Sequence, residues 1–72
     1  MDPIPFQLNA GHVRLCDLLK LAGIADSGGQ GKRMVAAGEV TVDGQPESRK
    51  SAKIRAGQTV ECSGVKVLVL AK

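Results

Sequence analysis

Hydrophobic residues follow a helical spacing in the first third of the chain. Leu15 is followed three, four and seven positions later by Leu18, Leu19 and Ala22. Residues at this spacing share one face of an α-helix. Gly23 is typical of the left-handed residue that follows the end of a helix. The pattern therefore predicts a first helix over residues 14–22.

A capping pattern at Ser27 predicts a second helix. Ser27 is followed three residues later by Gln30, a capping box in which the hydroxyl accepts a main-chain hydrogen bond and the amide side chain reaches back. The inward face of this helix is then Gly31, Met34 and Val35, and Gly38 is suited to end it. Glycines at 28, 29 and 31 weaken the helix by roughly 0.5–1 kcal/mol each relative to alanine. Packing must hold this helix, or its glycines must permit a close approach.

After the second predicted helix the hydrophobic pattern acquires a period of two, as in a strand that buries one face. Val40 and Val42 precede Asp43-Gly44, a pair typical of a tight hairpin turn. Pro46 cannot donate a ladder hydrogen bond, so it indicates an edge strand or an irregular stretch. The sequence predicts a hairpin at this point.

The last third of the chain predicts two more strands. A basic run at residues 49–55, with Ile54 as its expected anchor, leads to a strand at 59–62. A turn at Ser63-Gly64 separates that strand from the last, at 65–70. Because the last strand has aliphatic residues at odd and even positions, we expect both of its faces to be covered.

The order of these elements predicts an α+β fold. A short extended segment at residues 6–8 is followed by two helices and a strand-rich half. No repeat, low-complexity tract or linker interrupts the pattern, so we expect one domain over residues 1–72. Residues 1–5, which include two prolines, are expected to form a loose tail.

Composition excludes several kinds of binding site. Hydrophobic residues make up 43% of the chain and charged residues 24%, which is typical of a globular protein rather than a disordered one. Phe6 is the one aromatic residue among 72. A platform on which bases stack and an aromatic cage are therefore both excluded.

Cysteine usage and hydropathy favour a cytoplasmic protein. Cys16 and Cys62 are too few for the disulfide framework of a small secreted domain. The first residues lack the basic and apolar regions of a signal peptide, and the longest apolar run, residues 67–71, is far shorter than a membrane span. We predict two free, buried thiols and no membrane partner.

Catalytic chemistry has little support in the sequence. His12 is the one histidine, and a nucleophilic pair with Cys16 would also need an oxyanion site and a pocket. His12, Cys16 and Cys62 lack the paired spacing of a structural zinc site. The glycine-rich residues 28–31 suggest a phosphate loop, but that motif needs a glycine at position 26 and a hydroxyl at position 33, and both are missing. We predict no enzyme activity, no cofactor, no metal and no small-molecule substrate.

Positive charge is concentrated in the second half of the chain. Ten basic and seven acidic residues give a net charge of +3, and eight of the basic residues lie within 32–72. Lys32 and Arg33 follow the start of the second predicted helix, whose N-terminus is itself suited to a phosphate. The basic run holds four more basic residues, of which Arg49, Lys50 and Lys53 are the candidate phosphate contacts. If the sheet packs on that helix, both groups border one surface that suits nucleic acid; the alternative is an ordinary solvated loop.

The segment from Arg14 to Gly44 resembles the RNA-binding domain of small-subunit ribosomal protein four, also called the α-L motif. The opening Arg14-Leu15, the leucine ladder and the serine-led second helix with a small residue at Gly31 are similar to the family pattern. The most specific part is the family's Gly-x-Val-x-Val-Asn-Gly ending, which corresponds to Gly38, Val40, Val42, Asp43 and Gly44. Residues 47–50 and 57–60 resemble a small, free-standing bacterial subfamily, so the resemblance covers roughly residues 6–70.

The resemblance implies two short helices in an α-L arrangement on a small, mostly antiparallel sheet, and non-catalytic binding of structured RNA, ribosomal or transfer RNA above all. The scarcity of aromatic residues also favours recognition of RNA shape and backbone over base stacking. Cys16 stands where many members have an acid, and Gly28 where many have an arginine. We expect a monomer that contacts RNA through Arg14, Ser27, Gln30, Lys32, Arg33, Arg49, Lys50 and Lys53.

Two other functions stay open at the level of sequence. The two helices could bind double-stranded DNA as a helix-turn-helix, with Gln30, Lys32 and Arg33 as the available base readers. The strand edge near Pro46 could serve a protein-interaction adaptor. A sulfur-carrier role would need a glycine pair at the chain end, and residues 70–72 do not supply one.

Overall fold

The structure is a computed structural model that describes residues 3–72. Its elements are β1 (Ile4–Gln7), β2 (Val13–Arg14), α1 (Leu15–Leu21), α2 (Gly28–Ala36), β3 (Val40–Val42), β4 (Gln45–Pro46), β5 (Lys53–Ile54), β6 (Thr59–Cys62) and β7 (Val65–Leu70). Five strands form a sheet in the order β1-β7-β6-β3-β4, and β2 pairs with β5 separately. The β1–β7 pair is parallel and the other pairs are antiparallel. The predicted α+β class and mostly antiparallel sheet are confirmed.

The core lies between the two helices and one face of the sheet. α1 contributes Leu15, Leu18 and Leu19, all with no exposed surface. They pack in one cluster with buried residues of α2 and the sheet, which include Val35, Val40, Val60, Val67 and Val69. Ile54, the predicted anchor of the basic run, is 1% exposed and belongs to the same cluster. The helical spacing therefore identified the face of α1 that is buried.

The N-terminal segment differs from the expected loose tail. Ile4 and Pro5 belong to β1, which lies beside β7 with Ile4 opposite Val67 and Phe6 opposite Val69. Pro5 is tolerated because β1 is an edge strand, where a missing N–H need not break a ladder bond. Residues 1 and 2 of the expected tail lie outside the described residues.

The prediction that β7 is covered on both faces is wrong. Val67 and Val69 have no exposed surface, but Leu68 and Leu70 on the opposite face are 38% and 40% exposed. The helices pack on one side of this sheet, and a largely antiparallel sheet can leave its other side to solvent. The outer leucines therefore do not indicate a second covering layer.

The predicted helix ends are confirmed. Gly23 and Gly38 have φ of +81° and +77°, and each follows its helix in a Schellman motif. In the first motif the N–H of Ile24 donates to the Leu19 carbonyl, and in the second the N–H of Glu39 donates to the Met34 carbonyl. The turns at residues 43–44 and 63–64 have positive φ at both positions, as in the type I′ turns favoured in hairpins.

The predicted cap of α2 is also present, and it supports a stability prediction. The Ser27 hydroxyl accepts a hydrogen bond of 3.1 Å from the main-chain N–H of Gln30. We expect Ser27→Ala to lower the free energy of unfolding by about 1 kcal/mol, because an amide in the first turn loses its partner. Urea denaturation measures the change. Ser51→Ala is the matched control, since Ser51 is exposed and its side chain has no hydrogen bond within residues 3–72; an equal loss in both variants would contradict the capping role.

Cys16 and Cys62 are free and buried, as predicted. They are 2% and 1% exposed, and neither forms a disulfide. Among the described residues, no helix has the length and apolar character needed to cross a bilayer.

Candidate nucleic-acid interface

The start of α1 is capped by the main chain of the basic loop, residues 48–53. No side chain caps this helix at Arg14. Instead, the N–H of Leu15 donates to the Ala52 carbonyl at 2.9 Å, and the N–H of Cys16 donates to the Lys50 carbonyl at 3.1 Å. These carbonyls satisfy amides that have no partner within a helix. The basic loop is therefore fixed against the N-terminus of α1.

The ribbon of β2 and β5 brings two cations side by side. Arg14 and Lys53 are register partners in this antiparallel pair, and opposite residues of such a pair have neighbouring side chains. Like charges directly opposite each other destabilise a sheet, and the Asp17 carboxylate, 2.9 Å from Arg14 Nε, offsets part of this repulsion. The basic loop itself lines a shallow concavity beside this ribbon, formed by Ser48, Arg49, Lys50, Ser51, Ala52 and Lys53.

The first half of α2 approaches the same point on α1. A Cβ built on Gly31 would lie 2.8 Å from the carbonyl oxygen of Cys16, so only a glycine allows the two helices to come this close. Lys32 and Arg33 follow Gly31 and are exposed. The chain therefore has two basic segments next to the main chain of Cys16, namely the first half of α2 and the basic loop. The first half of α2 lies against the Cys16 carbonyl, and the basic loop accepts a hydrogen bond from the Cys16 N–H.

Ser27 and Gln30 have structural partners in the first turn of α2. Besides the Ser27 cap, the Gln30 side-chain oxygen accepts from the N–H of Asp26, one residue before the usual partner in a capping box. Both contacts use oxygen acceptors, so the hydroxyl proton and the amide NH2 group can still donate to an anion. The Ser27 Oγ and Arg33 Nη1 atoms lie 3.8 and 3.9 Å from a Cβ built on Gly29. The Arg33 guanidinium thus reaches back over the start of α2.

Arg49 is held by Glu47, which the sequence did not identify as part of the site. The Glu47 carboxylate accepts from the Arg49 main-chain N–H at 2.9 Å, from Nε at 3.2 Å and from Nη2 at 3.3 Å. The side-chain and main-chain hydrogen bonds from Arg49 lower the pKa of the Glu47 carboxyl below its usual value. The same side-chain contact raises the pKa of the Arg49 guanidinium. The pair is therefore fully charged at neutral pH.

The predicted contact residues form three groups according to their partners. Within residues 3–72 the ion pairs are Arg14–Asp17 at 2.9 Å, Arg49–Glu47 at 3.2 Å and Lys66–Glu61 at 3.9 Å. The two arginines of the predicted site are thus paired with acids, and Ser27 and Gln30 belong to the helix cap. The four other cations of the predicted site have no ion-pair partner in the described part of the chain, namely Lys32, Arg33, Lys50 and Lys53.

Metal-ligating side chains do not gather in the part of the chain that the structure describes. No group of three His, Cys, Asp or Glu side chains is close enough there to hold an ion. His12 is exposed, whereas Cys16 is buried next to the two basic segments. The described side chains of this surface are cations, neutral hydrogen-bond donors and the two carboxylates paired with Arg14 and Arg49.

Comparison with known proteins gives the family of the chain. The S4 domain family model matches residues 6–70. YbcJ of Escherichia coli (strain K12), whose name gives RNA binding as a proposed role, is 57% identical over 60 residues, which cover 83% of this chain and 86% of YbcJ. RlbA of Bacillus subtilis (strain 168), named a probable ribosome maturation protein, is 33% identical over 60 residues, which cover 83% of this chain and 84% of RlbA.

A solved structure resembles the whole fold. The solution structure of YbcJ from E. coli is described as revealing an αL motif involved in RNA-binding. It matches this structure with a TM-score of 0.76 and 50% sequence identity, over 99% of this chain and 91% of that chain. The resemblance seen from Arg14 to Gly44 is confirmed. With the family model matched across both helices and nearly all of the sheet, the chain belongs to the S4 domain family.

Proposed function

We propose that this protein binds structured RNA without catalysing a reaction, by contacting phosphates with the surface around the start of α1. The names of its relatives support RNA as the partner. The name of RlbA, a probable ribosome maturation protein, supports ribosomal RNA as the class, with transfer RNA as the other candidate. We expect the protein to act as a monomer in the cytoplasm.

The observation that carries this proposal is the meeting of two basic segments at Cys16. The carbonyl of Cys16 lies against Gly31 of α2, and its N–H donates to Lys50 of the basic loop. Lys32, Arg33, Lys50 and Lys53 are all exposed. The contacts at Cys16 support the proposal that these cations border one surface, and cations dispersed in this way suit the separated phosphates of a folded RNA backbone.

The mode of recognition follows from what this surface can offer. Phe6 is the one aromatic residue and packs against the core, so it is not available to stack on bases. Reading of single-stranded sequence relies on such stacking. Backbone and shape recognition of double-helical or folded RNA is the mode that these side chains support.

The test is a titration of purified ribosomal RNA and of an RNA duplex at several salt concentrations. Four phosphate contacts predict that log affinity falls with log salt at a slope of about −3, since each contact contributes roughly 0.7–0.9. A slope near zero, or no binding to either RNA, would refute the proposal.

A competition titration with DNA separates RNA binding from the helix-turn-helix alternative. Gln30 is one of the few base readers on α2, and its side-chain oxygen is already used by the N–H of Asp26. We therefore expect the RNA duplex to outcompete a DNA duplex of the same sequence. An adaptor that used the β4 edge would instead keep its protein partner when Arg49 and Lys50 are reversed in charge.

A further inference from the structure

Glu47 connects the sheet to the basic loop. Its main-chain N–H donates to the Val40 carbonyl at 3.0 Å, which extends the pairing of β3 and β4. Its side chain is 21% exposed and faces Arg49, whose own side chain is 79% exposed. The carboxylate is therefore anchored to the sheet, while the guanidinium that it holds lies in solvent.

The contact uses the edge of the guanidinium that a phosphate prefers. Glu47 accepts from Nε and Nη2 of Arg49, which is the bidentate geometry that arginine also offers to phosphate. An RNA phosphate must either displace the carboxylate or bind the remaining Nη1 side. A carboxylate and a phosphate thus compete for one cation.

We propose that Glu47 is a specificity-determining residue for RNA binding, which withholds Arg49 from loosely bound polyanions. A phosphate that Lys50 and Lys53 already bind can displace the carboxylate from Arg49. A phosphate in brief contact with the surface, without those two lysines, cannot. Selectivity then comes from a built-in cost to the wrong ligand as well as from contacts with the right one. This inference rests on the proposed function and assigns a role to a residue outside the predicted site.

Counterion release gives the inference a measurable signature. The Arg49–Glu47 pair is neutral as a whole, so when a phosphate takes the guanidinium the carboxylate stays beside it, the phosphate gains almost no net positive charge, and little net counterion release follows. Without the carboxylate, the same contact releases a counterion. Removing the charge of Glu47 should therefore strengthen binding to a generic polyanion and make that binding more sensitive to salt.

The test compares Glu47→Gln with the wild-type protein in binding a single-stranded uridine oligonucleotide of about 20 nucleotides. We expect affinity to rise roughly two- to fivefold at ~0.1 M salt, and the salt slope to steepen by about 0.7, the contribution of one contact on a single strand. The glutamine keeps an oxygen that can accept from the Arg49 N–H, so the loop is preserved, and thermal unfolding of each variant checks this.

Two further variants make the result specific to this pair. Glu61→Gln removes the same charge from the Lys66–Glu61 pair on the outer face of the sheet and should change the affinity less than Glu47→Gln. In an Arg49→Ala background, Glu47→Gln should have no more effect than Glu61→Gln, because the cation it would release is gone.

The outcomes separate this inference from the proposed function. Weaker binding by Glu47→Gln, or an equal gain in Glu61→Gln, would overturn the withholding role even if the wild-type protein binds RNA with the expected slope. If the wild-type protein binds neither ribosomal RNA nor the RNA duplex, the proposed function itself fails. A gain with Glu47→Gln that requires Arg49 and exceeds the gain with Glu61→Gln supports the inference.

Discussion

Replacing Gly31 by alanine is expected to lower the free energy of unfolding by about 1–3 kcal/mol, the usual range for overpacking. The new Cβ would lie 2.8 Å from the Cys16 carbonyl oxygen and 3.5 Å from the carbonyl carbon and the Cα of Cys16. These are main-chain atoms of α1, so they cannot move aside without separating the helices. Alanine's better helix propensity, about 0.8–1 kcal/mol, offsets only part of this cost.

Gly29→Ala provides the control in the same helix. A Cβ at Gly29 would meet only side-chain atoms, at 3.8 and 3.9 Å, which is ordinary contact. This variant should gain up to about 1 kcal/mol from propensity alone. Urea denaturation of both variants gives the comparison. If Gly31→Ala proves as stable as Gly29→Ala, the close approach of α2 to Cys16 is wrong, and so is the route by which the two basic segments meet.

Local features of the fold could be predicted from the sequence because their causes lie within a few residues. The Ser27 cap, the stops at Gly23 and Gly38 and the turn at Asp43-Gly44 all appear where expected. Each depends on a short-range hydrogen bond or on a backbone conformation that few residues adopt. The glycines of α2 also indicated a close approach, although not that its target would be Cys16.

Features that depend on distant parts of the chain were missed or misjudged. The parallel pairing of β1 with β7 joins residues more than sixty positions apart, and nothing local in residues 3–7 signals it. Leu68 and Leu70 are as hydrophobic as the buried residues of β7, yet no layer covers them in the described structure. Burial of a strand's second face depends on what packs there, and hydropathy along one strand does not contain that information.

The candidate site was predictable in its cations but not in their partners. Charge density along the chain identified Lys50 and Lys53, and both are exposed beside α1. The sequence gives no sign that Arg49 turns back to Glu47, because a carboxylate two residues away in a loop has no fixed geometry. Arg14 could have been assigned to Asp17 by the i,i+3 rule for helix neighbours. Pairing therefore divides the predicted cations into available and occupied ones.

The double variant Lys50→Ala/Lys53→Ala is expected to lose RNA affinity by roughly 30-fold at ~0.1 M salt. Each phosphate that a cation neutralises contributes about 0.7–0.9 of a decade per decade of salt, so removing two of these cations lowers the affinity at that concentration by about 1.5 decades. The salt slope should become shallower by about 1.5. Fluorescence anisotropy with an RNA duplex at four or more salt concentrations measures both quantities.

Removing Lys66 and Lys72 is the matched control, because it takes the same charge from β7 and the residues that follow it. We expect that control to change affinity less than threefold, as for charges that contact no phosphate.

The variant Lys32→Ala/Arg33→Ala should resemble Lys50→Ala/Lys53→Ala in both its loss of RNA affinity and its shallower salt slope. If both pairs of cations bind the same RNA molecule, a variant with all four replaced by alanine should lose nearly the whole salt slope of about −3, and the binding stoichiometry should stay constant. A slope that survives in the four-residue variant would mean that RNA binds elsewhere on the molecule.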